Sequence, residues 1–170
     1  MDRGPFWQIV GDARSATGQD DLAFLRSIRT RLERMSLDEI VAFEGIREDL
    51  MAESYRNDLW AAAYIINGGC SDDGFDYFRA WLIAQGRDVF DLALADPASL
   101  ETAIVMDNGW DAELKEFLYL PREVYRERAG ADMPESPRRP WTLTGPEWTE
   151  DSVYEMFPKL FEKAESRFGP

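Results

Sequence analysis

The chain contains no histidine, one cysteine and only three lysines, Lys115, Lys159 and Lys163. Without histidine it lacks the commonest general base at neutral pH and the commonest metal ligand. Chemistry therefore falls to carboxylates, hydroxyls, arginine and one thiol. A lone cysteine makes no internal disulfide and no cysteine-based zinc centre, which fits a reducing compartment. Long apolar runs are missing as well: the longest, Leu59 to Ile66, is less than half of the roughly 20 residues that cross a bilayer. Met1 to Gly18 shows no apolar stretch between a basic start and a small-residue cleavage site. The expectation is a cytoplasmic protein without membrane association.

What the chain has instead is acid, with a formal charge of −14 over 170 residues. Nucleic-acid affinity rests largely on lysine and arginine displacing counterions, so a nucleic-acid partner is not expected. Acidity serves solubility, and it can also serve docking of a basic partner. A hydrophobic content of 45% at this length predicts one globular domain with a sizeable core.

The dominant period is helical, and no stretch alternates apolar and polar residues as a half-buried strand does. Phe6, Trp7, Ile9 and Val10 predict a short first helix ending near Gly11 or soon after. Asp20 or Asp21 caps a second, whose Leu22, Leu25, Ile28, Arg29 and Leu32 recur at helical spacing. Ser36 and Glu39 form a capping box before a third helix through Leu50. From Asp58 to Asn67 the chain is apolar on every face, which predicts a central buried helix with Trp60 in the core. Asn67-Gly68-Gly69 ends it. Ser71 caps a fifth helix, with Asp72 and Asp73 in its first turn beside the positive end of the dipole.

Further on, Asp88 starts a short helix and Asp96-Pro97 another through Val105. Asp111 to Arg128 is helical with a break at Pro121. Residues 130–146, rich in proline around Trp141, read as a loop or wrapping arm. Thr149 can cap a final helical stretch. The expected organisation is a helical core over residues 1–129, a proline-rich arm over 130–146, and a helical segment over 147–170 packed on the same all-α domain.

The corner between the fourth and fifth helices gathers the chemistry. On a helical wheel, Asp72, Asp76 and Arg79 share a narrow stripe with Ile83, an apolar neighbour that implies partial shelter. Asp72, Asp73 and Asp76 include carboxylates that could share a side for acid–base work, given environments that separate their pKa values. The plainer reading is a capped helix carrying an Asp76–Arg79 pair. A divalent cation would also suit clustered carboxylate oxygens. Asp107-Asn108-Gly109-Trp110-Asp111 has calcium-loop residue types, but its glycine comes too early, and it reads as a turn. Cys70 precedes a helix start, which lowers a thiol pKa, while the aspartates and the missing histidine oppose thiolate. Gly68-Gly69 lacks the lysine and spacing of a phosphate loop.

The residues Asp58-Leu59-Trp60-Ala61-Ala62, Gly68-Gly69-Cys70-Ser71-Asp72-Asp73-Gly74-Phe75, Phe78-Arg79-Ala80-Trp81-Leu82-Ile83 and Gln85-Gly86 together resemble the bacterial family of domains of unknown function numbered 4240. The likeness runs from Phe6-Trp7 to about Pro97, loosens after about Asp107, and returns weakly at Phe157-Pro158-Lys159-Leu160-Phe161. It implies that Trp60, Gly69, Ser71, Asp72, Asp73, Phe75, Arg79 and Trp81 are signature positions. It implies no biochemical activity.

No complete catalytic constellation can be assembled from these residues. The expectation is a non-enzymatic protein-binding or regulatory module with Ser71, Asp72, Asp73, Asp76 and Arg79 as binding residues, no cofactor and no metal. The alternative is a hydrolase-like enzyme in which Asp72 and Asp73 act as acid, base or cation ligands and Arg79 holds an anionic substrate group.

Overall fold

The structure is a computed structural model describing residues 1–103, 111–135 and 141–168. The Asp107–Trp110 part of the expected turn, Val105, and Pro137 and Pro140 of the expected arm lie outside these residues. Among the described residues there are ten α-helices and no sheet. The protein is all-α.

Local signals set the helix starts. Helix α1 (Arg3–Thr17) and α2 (Asp21–Glu33) are followed by α3 (Leu37–Glu53). The Asp20 carboxylate accepts from the Ala23 N–H at 2.8 Å. Ser36 and Glu39 exchange the two bonds of a capping box, satisfying donors that have no partner inside α3. Helix α1 runs on to Thr17, past the expected end near Gly11 or soon after. Ala13 and Arg14 beyond the glycine are buried along with Phe6 and Val10, so packing outweighs the roughly 1 kcal/mol penalty of an interior glycine.

Helix α4 (Asn57–Asn67) ends at Gly68, whose φ of 67° lies in the left-handed region, where a side chain would be strained. Leu59, Ala61, Ala62, Ala63, Ile65 and Ile66 are buried. Trp60 is not fully in the core: it is half-buried, stacked on Phe75 with ring centroids 4.9 Å apart. Its indole N–H donates to the Cys70 carbonyl at 3.0 Å, the polar partner a partly covered tryptophan needs.

Helix α5 (Asp72–Ala84) is buried without interruption from Phe78 to Ala84. It packs on α3 and α4, on α6 (Arg87–Ala95) and on α8 (Lys115–Ala129). A 3-10 turn (Pro97–Ser99), capped by Asp96, leads into α7 (Leu100–Ala103). Helix α8 begins at Lys115 and passes through Pro121 without the expected break. Phe117, Leu120, Pro121 and Val124 are buried. Packing of that face against α2, α3 and α5 offsets the hydrogen bond that proline removes.

Helices α9 (Val153–Met156) and α10 (Pro158–Phe168) pack on α4. Ser152 occupies the cap position of α9 and is hydrogen-bonded to Thr149. No helix among the described residues is long and apolar enough to cross a membrane.

Candidate functional site at the α4–α5 corner

Ser71 caps α5 by accepting from the Gly74 N–H at 3.1 Å. Ser71, Asp72 and Asp73 are exposed. The segment before α8 closes the other side of the corner. Asn67 accepts from the Ala112 N–H at 2.8 Å, and the Leu114 N–H donates to the Tyr77 carbonyl at 3.0 Å. This brings Glu113 over the helix start, where the absence of a side chain at Gly74 makes room. A Cβ there would lie 3.3 Å from the Glu113 carboxylate and 3.3 Å from the Ser71 hydroxyl.

Electrostatics at the corner follow from this closure. Burial pushes the Glu113 carboxyl above its usual range, with Asp111 adding to the effect. Burial pushes the Cys70 thiol up to about 12, reinforced by Glu113 and opposed by Arg79. A thiol held there is protonated at neutral pH and is a poor nucleophile.

Arg79 departs furthest from the wheel projection. Its side chain is fully buried. Nη1 donates to the Met51 carbonyl and Nη2 to the Asp76 carboxylate, while Nε is buried without a partner. The guanidinium carbon lies 4.7 Å from the Tyr55 ring centre, 4.9 Å from Phe75 and 4.5 Å from Trp141. Burial lowers the Arg79 pKa, and Asp76 opposes the shift. Desolvated arginine–ring contacts are worth about 2 kcal/mol, and three rings surround this cation. Thus the structure brings Asp76 and Arg79 together but leaves Asp72 and Asp73 exposed outside the cage.

Trp141 comes from the proline-rich arm, which Asn57 anchors. The Asn57 N–H donates to the Thr144 carbonyl at 2.8 Å, and its side chain to the Gly145 carbonyl at 2.9 Å. The Trp148 indole in turn donates to the Asn57 carbonyl at 2.8 Å. The φ of 91° at Gly145 is the conformation that lets the strap follow this residue.

The "Protein of unknown function (DUF4240)" family matches residues 1–127. The chain belongs to the DUF4240 family. The match runs through nearly all of α8, well beyond the region of strong resemblance in the sequence, and stops before the arm and the Phe157–Phe161 echo. Trp141 therefore closes the Arg79 cage from outside the matched region. No curated protein and no solved structure matches the chain.

A second surface escaped the sequence reading. Two contiguous hollows of about 400 and 440 Å³ lie along α1 and the C-terminal half of α2, sharing Ile9, Arg31 and Arg34. The signal was present in Arg26, Arg29, Arg31 and Arg34, clustered in an otherwise acidic chain. Of these, Arg29 pairs with Glu123 and Glu127. Among the described residues no group of three or more cysteine, aspartate and glutamate side chains is placed to hold a metal ion.

Proposed function

We propose that this DUF4240 protein is a non-enzymatic binding or regulatory module whose exposed acidic corner meets a protein partner. The observation that carries this reading is the engagement of Arg79: its terminal nitrogens bond to Met51 and Asp76 inside an aromatic cage. A fully buried guanidinium does not reach a substrate anion beside the exposed Asp72 and Asp73. The raised Cys70 pKa further supports a site without a nucleophile. Ser71, Asp72 and Asp73 then serve as surface, with Asp76 and Arg79 holding the helix that presents them. The −14 charge favours a basic protein partner over nucleic acid, and a single protonated thiol suits a cytoplasmic setting.

The test pairs cross-linking in native extract with a hydrolase substrate panel, using wild type, Asp72→Lys with Asp73→Lys, and Asp72→Asn with Asp73→Asn. A defined partner bound by wild type and lost on charge reversal is expected. Turnover by wild type that the double Asn variant abolishes would contradict the proposal and favour the hydrolase alternative.

A further inference from the structure

The groove along α1 and α2 is lined by three arginines and two carboxylates in a chain of formal charge −14. Arg26, Arg31 and Arg34 line it, are exposed, and have no ion-pair partner among the described residues. Every other surface arginine in an ion pair shows what such a side chain does when a carboxylate is near: Arg3 pairs with Glu53, Arg87 with Asp91 and Arg126 with Asp132. Two carboxylates do line the groove. Glu39 is turned to Ser36, whose backbone N–H donates to it at 2.7 Å, and this bonding lowers its pKa. Glu39 therefore stays ionised, and with Asp12 it leaves the three arginines in excess by one charge.

Apolar side chains are interleaved with this polar lining: Ile9 lines both hollows, and Pro5 and Met35 line the one away from Arg26 beside Gln8. The Ser27 hydroxyl lines the opposite end and can donate to an oxygen anion. The hollows join end to end at Ile9, Arg31 and Arg34, giving a trough with space along its length rather than a closed chamber.

We propose that this groove docks a short acidic segment of another protein, with carboxylates on Arg26, Arg31 and Arg34 and an aliphatic side chain over Ile9. Charge complementarity selects the anionic groups, and the contact that Ile9, Pro5 and Met35 offer an aliphatic side chain selects a peptide over a simple anion. A short peptide engages the patch locally. A long polyanion would also lie against the acidic surface that gives the chain its −14 charge, where it is repelled. This surface is separate from the acidic corner and does not depend on the function proposed for it.

The probe is a fluorescently labelled, acetylated peptide alternating glutamate and leucine, titrated at low salt and read by anisotropy, with the glutamine-for-glutamate peptide as control. Saturable binding is expected for the acidic peptide alone. Arg31→Glu with Arg34→Glu should weaken it about tenfold or more, since two favourable rim charges become repulsive. Arg31→Gln with Arg34→Gln should weaken it less, and Asp12→Asn should strengthen it. Circular dichroism verifies that each variant is folded. Asp72→Lys with Asp73→Lys should leave peptide binding in place, so failure here is distinct from failure at the corner. Absence of saturable binding, equal binding of the glutamine peptide, or survival of binding in the glutamate variant would overturn the proposal. Displacement of the peptide by inorganic phosphate or a short oligonucleotide at comparable concentrations would overturn the choice of a peptide.

Discussion

At the α4–α5 corner, Arg79 is fully buried among three rings and donates to the Met51 carbonyl and the Asp76 carboxylate. In the α1–α2 groove, Arg31 and Arg34 carry the same charge into solvent with no carboxylate paired to either among the described residues. A charge contributes something different in each setting. Burying a guanidinium is tolerable only where hydrogen bonds, a counterion and ring faces replace its water. Two other buried arginines follow this rule. Arg47 is bidentate to Glu44 at 2.9 and 2.8 Å, and Glu44 also accepts from Arg122 at 2.8 Å. Arg14 reaches Asp21 and the Ala84 carbonyl, each at 2.9 Å, while lying 4.3 Å from the Phe24 ring centre. These groups hold helices together. Among the described residues the groove arginines make no ion pair, so their removal should be nearly silent for folding.

The largest expected effect separates the protected corner from the open surface. With its pKa near 12, Cys70 should react with iodoacetamide at pH 8 at least about a hundredfold more slowly than a free thiol, because only thiolate attacks. Reaction at the rate of an unfolded control would show that the corner does not shield it. The linkage has a definite sign. The folded thiol keeps its proton after the unfolded one has lost it, so stability is fully present below the ordinary thiol value of 9.0 and falls as pH rises from there towards about 12.

Next in size is the strap. Trp141→Ala should lower stability by about 1–3 kcal/mol, less than a fully buried tryptophan because Trp141 is half-covered. It should also raise amide exchange at Thr144 and Trp148. An unchanged urea midpoint with unchanged exchange would mean that the arm contributes nothing to the Arg79 cage.

A smaller effect probes the exposed aspartates. Asp72→Asn with Asp73→Asn should remove roughly 0.3–1 kcal/mol per charge from the α5 helix start. Relief of the general negative repulsion works in the opposite direction. A clear rise in melting temperature for both the double Asn and the double Ala variants would mark strain held for function rather than a folding role.

Much of this architecture could be read from local residues. Asp20, Ser36, Ser71 and Asp96 cap the elements expected of them, because capping depends on bonds across two or three residues. Gly68 was legible as a stop for the same reason. Gly11 and Pro121 misled, since each weakens a helix locally and only tertiary burial shows why the helix continues. At the site, Ile83 on the Asp72–Asp76–Arg79 stripe signalled shelter, and both Arg79 and Ile83 are fully buried. The rings and carbonyl around Arg79 were not legible. Met51, Tyr55 and Trp141 come from α3, the chain after it and the arm, and no local period links them to α5. The groove was missed for a related reason: clustered arginines could be seen in the sequence, but their lack of partners is a property of the fold.

The most direct measurement is a urea titration comparing Arg79→Ala with Arg31→Ala under identical conditions. Arg79→Ala should lose about 3–5 kcal/mol, since it empties a buried cage and removes the partner of Asp76. Arg31→Ala should stay within about 0.5 kcal/mol of wild type, as an exposed side chain without internal partners does. Equal midpoints for the two variants, or an Arg79→Ala protein as stable as wild type, would contradict the claim that Arg79 is a structural clamp and would return it to the candidates for binding a substrate.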